Sequence, residues 1–206
     1  MFKKVFQLFA GTVLASFGIA SVVQSGLGCM ATTVANFAVG NWLNISVGMA
    51  GFLVEVIVLM ILLYLGEGVS LTGLVNMSLG SVLIDVFIAI LPLGKFIIIG
   101  LLLAPIGWML QAKSGLGESH NNLLTTSILK RTKAKLWQVK AVQEFIYVTM
   151  GLIGARERIS LFTIVLSFGL GYLIQFEYGL FKFDPTKVKQ SFLIKGKERK
   201  LVKEGK

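Results

Sequence analysis

The sequence predicts an all-α transmembrane protein of about six spans, built as two inverted three-span repeats that each carry a short re-entrant or interfacial helix. Three observations point there. The chain is 55% hydrophobic, and its apolar runs have the length of bilayer crossings. It echoes itself at an offset of 89 residues. Its basic residues cluster between the runs, as membrane topology requires.

The expected spans are residues 5–24, 46–65, 70–91, 96–112, 137–155 and 159–178. The first has the form of a signal peptide, two lysines followed by the apolar run Val5 to Val23. That run has an internal counterpart from Phe96 to Ala112, which cannot be a signal, so both read as permanent spans. Ser25 to Ile45 follows the first span and carries no charge. Its apolar part, Thr33 to Leu43, is too short to cross and fits a re-entrant or interfacial helix. The matching segment Glu118 to Lys130 is also helix-like but more polar. Pro92 and Gly94 mark the turn between a first repeat, 1–93, and a second, 94–181. A Lys-rich tail, 182–206, reads as a cytoplasmic surface segment.

The echo is specific. Ser25-Gly26-Leu27-Gly28 returns as Ser114-Gly115-Leu116-Gly117. Gly11, Ala15 and Gly18 return as Gly100, Ala104 and Gly107, and Glu55 returns as Glu144. Ser78 and Gly80 return as Ser167 and Gly169. Units with an odd number of crossings, joined end to end, must lie in opposite orientations. The charges agree: with both termini cytoplasmic, 17 of the 20 Lys and Arg fall inside, and Lys95, Arg156 and Arg158 fall outside. This is the plan of inverted-repeat transporters, whose sites lie between the halves.

Composition also excludes. The net charge of +10 sits in topological blocks, so no nucleic-acid partner is expected. Cys29 and His120 are the single cysteine and histidine, and no metal-ligand spacing exists. No Ser/His pairing of recognisable spacing is present either, so neither an enzyme nor a metal or other cofactor is expected. The expected partners are the lipid bilayer, an unidentified small-molecule substrate and, because the chain is small for a transporter, a second copy of itself.

Glu55 and Glu144 are the leading candidates for a substrate or proton site. A carboxylate near the centre of a span costs about 2.5–3.5 kcal/mol on insertion scales. The competing reading is structural, with the acids holding helices together; for Glu144 it is helped by Lys140, four residues earlier on the same face. Asp85 is a third intramembrane acid, and its echo position is Ile174, beside Gln175. For Asp85, helix packing competes with function. Gly26, Gly28, Gly115 and Gly117 permit broken backbone and are hinge candidates. Thr33 and Asn36 in one copy, and His120 and Asn122 in the other, are the polar loop candidates. His120 alone reads more readily as a loop residue than as a catalyst. The Gly/Ala stripes read as close helix packing.

Ser16-Phe17-Gly18-Ile19 and Leu27-Gly28, then Leu116-Gly117, Leu124, Glu144 and Gly169, resemble motifs of the YczE/YyaS/YitT group of bacterial integral membrane proteins. The resemblance covers most of residues 5–178. Where that group carries a loop Pro and Asp, this chain has Ala31 and Thr33 in one copy and His120 and Asn122 in the other. The resemblance implies a divergent plasma-membrane protein suspected of transport or export, with no substrate named. Two functions therefore stand. One is a small secondary transporter or exporter, proton-coupled through Glu55 and Glu144. The other is a non-transporting accessory or scaffold protein that uses its basic tail as a contact surface.

Overall fold

The computed structural model describes residues 1–94, 96–132, 134 and 136–181. Lys95 and the tail 182–206 lie outside the described residues, as do the side chains of Ile174 and Gln175. The described chain is helical, with no β-strand. In order, α1 is Phe2–Gln24, α2 Ala31–Leu43, α3 Val47–Tyr64 and α4 Leu71–Ile90. Then come α5 Ile97–Ser114, α6 His120–Arg131, α7 Leu136–Gly154, a 3-10 turn Arg156–Arg158, and α8 Leu161–Leu180. Helices α1, α3, α4 and α5 are each long and apolar enough to cross a membrane.

The helix ends follow local chemistry. Ser46 and Ser70 cap α3 and α4, accepting from the Met49 and Gly73 amides at 3.2 and 2.9 Å. Gly115 ends α5 in the left-handed region. Gly26, Gly28, Gly115 and Gly117 all have positive φ, so the two Ser-Gly-Leu-Gly segments are the left-handed turns their glycines predict. Pro105 lies inside α5, where it removes one backbone donor. Asn76–Gly80 forms a π-turn within α4, and Ser16 of α1 donates to the Gly80 carbonyl there at 3.2 Å.

The most intimate contact is between α1 and α5. Gly11, Ala15 and Gly18 occupy one face of α1, and Gly100, Ala104 and Gly107 one face of α5, at the same i, i+4, i+7 spacing. A Cβ on Gly11 would lie 2.6 Å from the Gly107 carbonyl oxygen. A Cβ on Gly18 would lie 2.6 Å from the Ala104 amide nitrogen. Early residues of α1 meet late residues of α5, so the two helices run antiparallel with their backbones touching.

The short helices pack across the middle of the chain. α2 runs beside α7 in the same direction: Ala31 and Ala35 meet Tyr147, Val34 fills the place of a Gly151 side chain, and Ala38 and Trp42 cover Gly154. α6 runs beside α3, also in the same direction. Leu123 packs with Val58 and Leu62, while Arg131 donates to the Leu65 carbonyl and pairs with Glu67 at 3.2 Å. The outer faces of α3 and α7 keep Ile57, Met60, Leu63, Phe145 and Ile153 exposed.

The α1–α5 contact generates a test. Gly107→Ala puts a methyl 2.5 Å from the Ala15 backbone nitrogen, which cannot move aside cheaply. It should destabilise the protein by about 1–3 kcal/mol despite better helix propensity. Gly169→Ala, with nothing within 4 Å, should be neutral or better. Thermal denaturation of the two variants in one detergent makes the comparison.

Candidate functional site

Glu55 lies midway along α3, and its carboxylate is not directed at Glu144. It meets the first turn of α6. His120 Nδ1 stands 3.0 Å from one Glu55 oxygen, and the Asn121 amide donates to the other at 2.8 Å. Tyr147 of α7 then donates its hydroxyl to the Asn121 carbonyl oxygen at 2.5 Å. Asn121 therefore joins a glutamate of the first half to a tyrosine of the second. In the sequence Asn121 reads only as one of the polar residues that follow the second glycine loop, and Tyr147 carries no signal of a site.

The expectation of a loop histidine is corrected. His120 opens α6 and is fully buried, while the Glu55 side chain is 19% exposed. Burial follows from Gly73 of α4, whose missing side chain leaves the room that the imidazole fills. The ring atom nearest that glycine, Nε2, has no hydrogen-bond partner among the described residues. An ionised Glu55 fixes the proton on Nδ1, since only a donor can face a carboxylate. Nε2 is then a bare lone pair, less costly to bury unpaired than an N–H of an imidazolium.

Polar groups continue along α6. Thr125 donates to Gln143 of α7 at 2.7 Å, and Ser127 donates to Glu67 at 2.9 Å. Asn122 is exposed and accepts from Lys140 at 3.5 Å. Glu118, in the loop before α6, has its carboxyl pushed up by burial, opposed by the Thr126 hydroxyl and by Lys130. Glu144 makes no hydrogen bond or ion pair among the described residues and lies one turn beyond Lys140. The structure therefore separates the two echoed glutamates: one is engaged across the halves, the other is not.

Asp85 has a role of its own. Ser46 donates to one of its oxygens at 2.5 Å and the Gly48 amide to the other at 2.7 Å. A carboxylate from α4 thus closes the positive N-terminus of α3. Thr33 is buried in the first turn of α2, and Asn36 lies against Gly51 of α3. Burial raises the Cys29 thiol to about 11 against the pull of Arg158, which keeps it protonated and inert. A further polar cluster escaped the sequence reading. Gln111 of α5 and Asn76 of the α4 π-turn exchange hydrogen bonds at 2.8 and 3.1 Å, and Thr12 of α1 joins them.

The chain belongs to a family of unknown function (DUF6198), whose pattern matches residues 2–178. Neither the curated proteins nor the solved structures give a match.

Gly73→Ala should drive the imidazole off Glu55 without altering either partner. In the parent protein, Glu55→Gln and His120→Ala should be thermodynamically coupled by about 0.5–3 kcal/mol. In a Gly73→Ala background that coupling should vanish, and a four-variant stability cycle in each background measures it. Glu118 gives a pH test. Its folded-state pKa is raised, so the folded form holds the proton more tightly and stability falls as pH rises from the ordinary carboxylate range through the raised value. Glu118→Gln should flatten that part of the stability–pH curve.

Proposed function

We propose that this protein is a small plasma-membrane secondary transporter, proton-coupled, with Glu55 and His120 forming the proton-responsive contact between two inverted repeats of three spans each. The carrying observation is the Glu55–His120 contact itself: a carboxylate in the middle of α3 meets a buried imidazole from the other half at 3.0 Å. Such a group is costly in a span unless it has a task. Protonation of Glu55 would remove its charge, weaken its hold on His120 and Asn121, and free α6 to move along α3. That is a bistable element biased by one proton.

The contacts between the halves support the inverted arrangement. Val34 of α2 sits on Gly151, and its echo Leu123 sits with Leu62, the echo of Gly151. Trp42 covers Gly154, while its echo Arg131 binds the carbonyl of Leu65, the echo of Gly154. Ser160 donates to the Leu27 carbonyl, and Thr72 donates its amide to Leu116, the echo of Leu27. Each half thus receives the other's short helix at matching positions. With both termini cytoplasmic, α6 enters from the inside and α2 from the outside. The motif resemblance to the YczE/YyaS/YitT group belongs to the same reading.

The non-transporting accessory reading draws on a different aspect of the same site. Both Glu55 oxygens are already satisfied by protein donors, as a purely structural tie would require. On that reading the basic tail carries the partner contact, and removing residues 182–206 abolishes it.

Flux separates the two. The purified protein is sealed into liposomes holding a pH-sensitive dye. It is then challenged under a pH gradient with pools of amino acids, organic acids, nucleosides and quaternary amines. A pool-dependent proton movement is expected, at least about tenfold slower in Glu55→Gln and in His120→Asn, which corresponds to about 1.4 kcal/mol or more of barrier. No pool-dependent movement, or wild-type movement in both variants, would sink the transport reading.

A further inference from the structure

A cavity of about 330 Å³ lies where the end of α2, the start of α3 and the 3-10 turn before α8 converge. Its volume is at the lower end of the roughly 300–1,000 Å³ typical of small-molecule sites. Its charged lining is Asp85, Glu157 and Arg158, and its apolar walls include Ile45, Val47 and Ile88. Glu55 and Glu144 are not among its lining residues.

Arg158 is held ready for an anion. Its guanidinium carbon stands 4.4 Å from the centroid of the Phe37 ring, so an aromatic platform carries the cation. Guanidinium N–H groups not engaged by the ring can take a carboxylate bidentately. Among the described residues Arg158 makes no ion pair, although two carboxylates line the same cavity. Asp85 is fixed by the α3 cap, one donor on each oxygen, and a carboxylate has capacity for about four. A simple anion would face Asp85 and Glu157, and a simple cation would face Arg158. A molecule bearing both charges satisfies all three.

We propose that this cavity binds a small zwitterion with an apolar tail, its carboxylate on Arg158, its ammonium beside Asp85 and Glu157, and its tail against Ile45, Val47 and Ile88. The proposal deepens the transport reading by naming a substrate class and rests on that reading for the ligand's onward path; binding itself needs no transport. In the proposed orientation the cavity opens outward, on the side opposite α6.

Equilibrium binding of radiolabelled L-leucine to the purified full chain in detergent tests it. Saturable binding is expected. Isovalerate, which lacks the ammonium, and isoamylamine, which lacks the carboxylate, should each compete at least about tenfold less well. Arg158→Gln should abolish saturable binding while keeping the parent melting temperature. If that variant folds poorly, Arg158→Lys, which keeps the charge but loses the planar fork, should bind measurably more weakly. Glu157→Gln should weaken leucine and leave isovalerate unchanged or stronger. Absence of saturable binding, binding unchanged in the Arg158 variants, or equal competition by the single-charge analogues would overturn the proposal. Better competition by a short-chain phosphatidylethanolamine than by leucine would also overturn it, giving the cavity to a lipid headgroup. The arms stay separable from the proton measurement: lost binding with intact Glu55-dependent flux refutes this site alone, and intact binding without flux refutes transport alone.

Discussion

The backbone contact between α1 and α5 is the constraint on which the other helices depend. Two helices can touch at this distance only where side chains are absent, and Gly11, Gly18, Gly100 and Gly107 provide that absence. Lipid tails are as apolar as leucine, so a hydrophobic driving force between spans is missing, and van der Waals fit must replace it. Once α1 and α5 are fixed antiparallel, the turns that follow them, 25–30 and 115–119, emerge at opposite ends. Each turn is left-handed at its glycines, and the first uses Gly28 to run close to the other half. At Gly28 the space is taken by Ser160 and Thr163. The short helices that follow the turns are thereby delivered to α7 and α3, and the Glu55–His120 contact is a consequence.

Polar groups in this fold have distinct purposes that composition alone would merge. Asp85 closes a helix end, where a macrodipole and two donors compensate its charge. Arg131 closes another by taking the Leu65 carbonyl. The Asn76–Gln111 amide pair exchanges hydrogen bonds beside a π-turn, and so joins α4 to α5, with Thr12 of α1 accepting from the Gln111 amide. Glu55 differs from all of these. Its partner is titratable, fully buried and bare at its second nitrogen.

Much of this was legible in the sequence, for reasons that are local. The four helices long and apolar enough to cross a membrane, the left-handed turns and the Gly/Ala stripes depend on periodicity and on glycine, which act within a few residues of themselves. Glu55 was legible as an expense. Its partner was not, because 65 residues separate it from His120 and no periodicity encodes a pair that far apart. The echo misdirected as well. It paired Glu55 with Glu144 by descent, whereas folding pairs Glu55 with the position where the echo fails, His120 against Ala31. Asp85 against Ile174 is another such failure, and there too the odd polar residue is the one that binds. At His120 and Asp85, where the echo fails, the polar residue is engaged, whereas the retained Glu144 is not.

The same contrast extends to how the two halves are held. Position for position, Thr12, Asn76 and Gln111 correspond to Leu101, Val165 and Val22. One side has an amide network; the other has an apolar cluster of Val22, Met30, Ala104 and Leu166. The short helices follow suit. α2 seats Val34 and Ala38 on Gly151 and Gly154 by steric fit. α6 is held to α3 and α7 in large part by hydrogen bonds through His120, Asn121, Thr125 and Ser127. Hydrogen bonds to protein can be exchanged for hydrogen bonds to water at small net cost, about 0.5–1.5 kcal/mol each. Interdigitated apolar contacts have no such substitute. On the transport reading the α6 side is therefore the one that can open and admit water, and α2 with α7 forms the fixed wall against which it works.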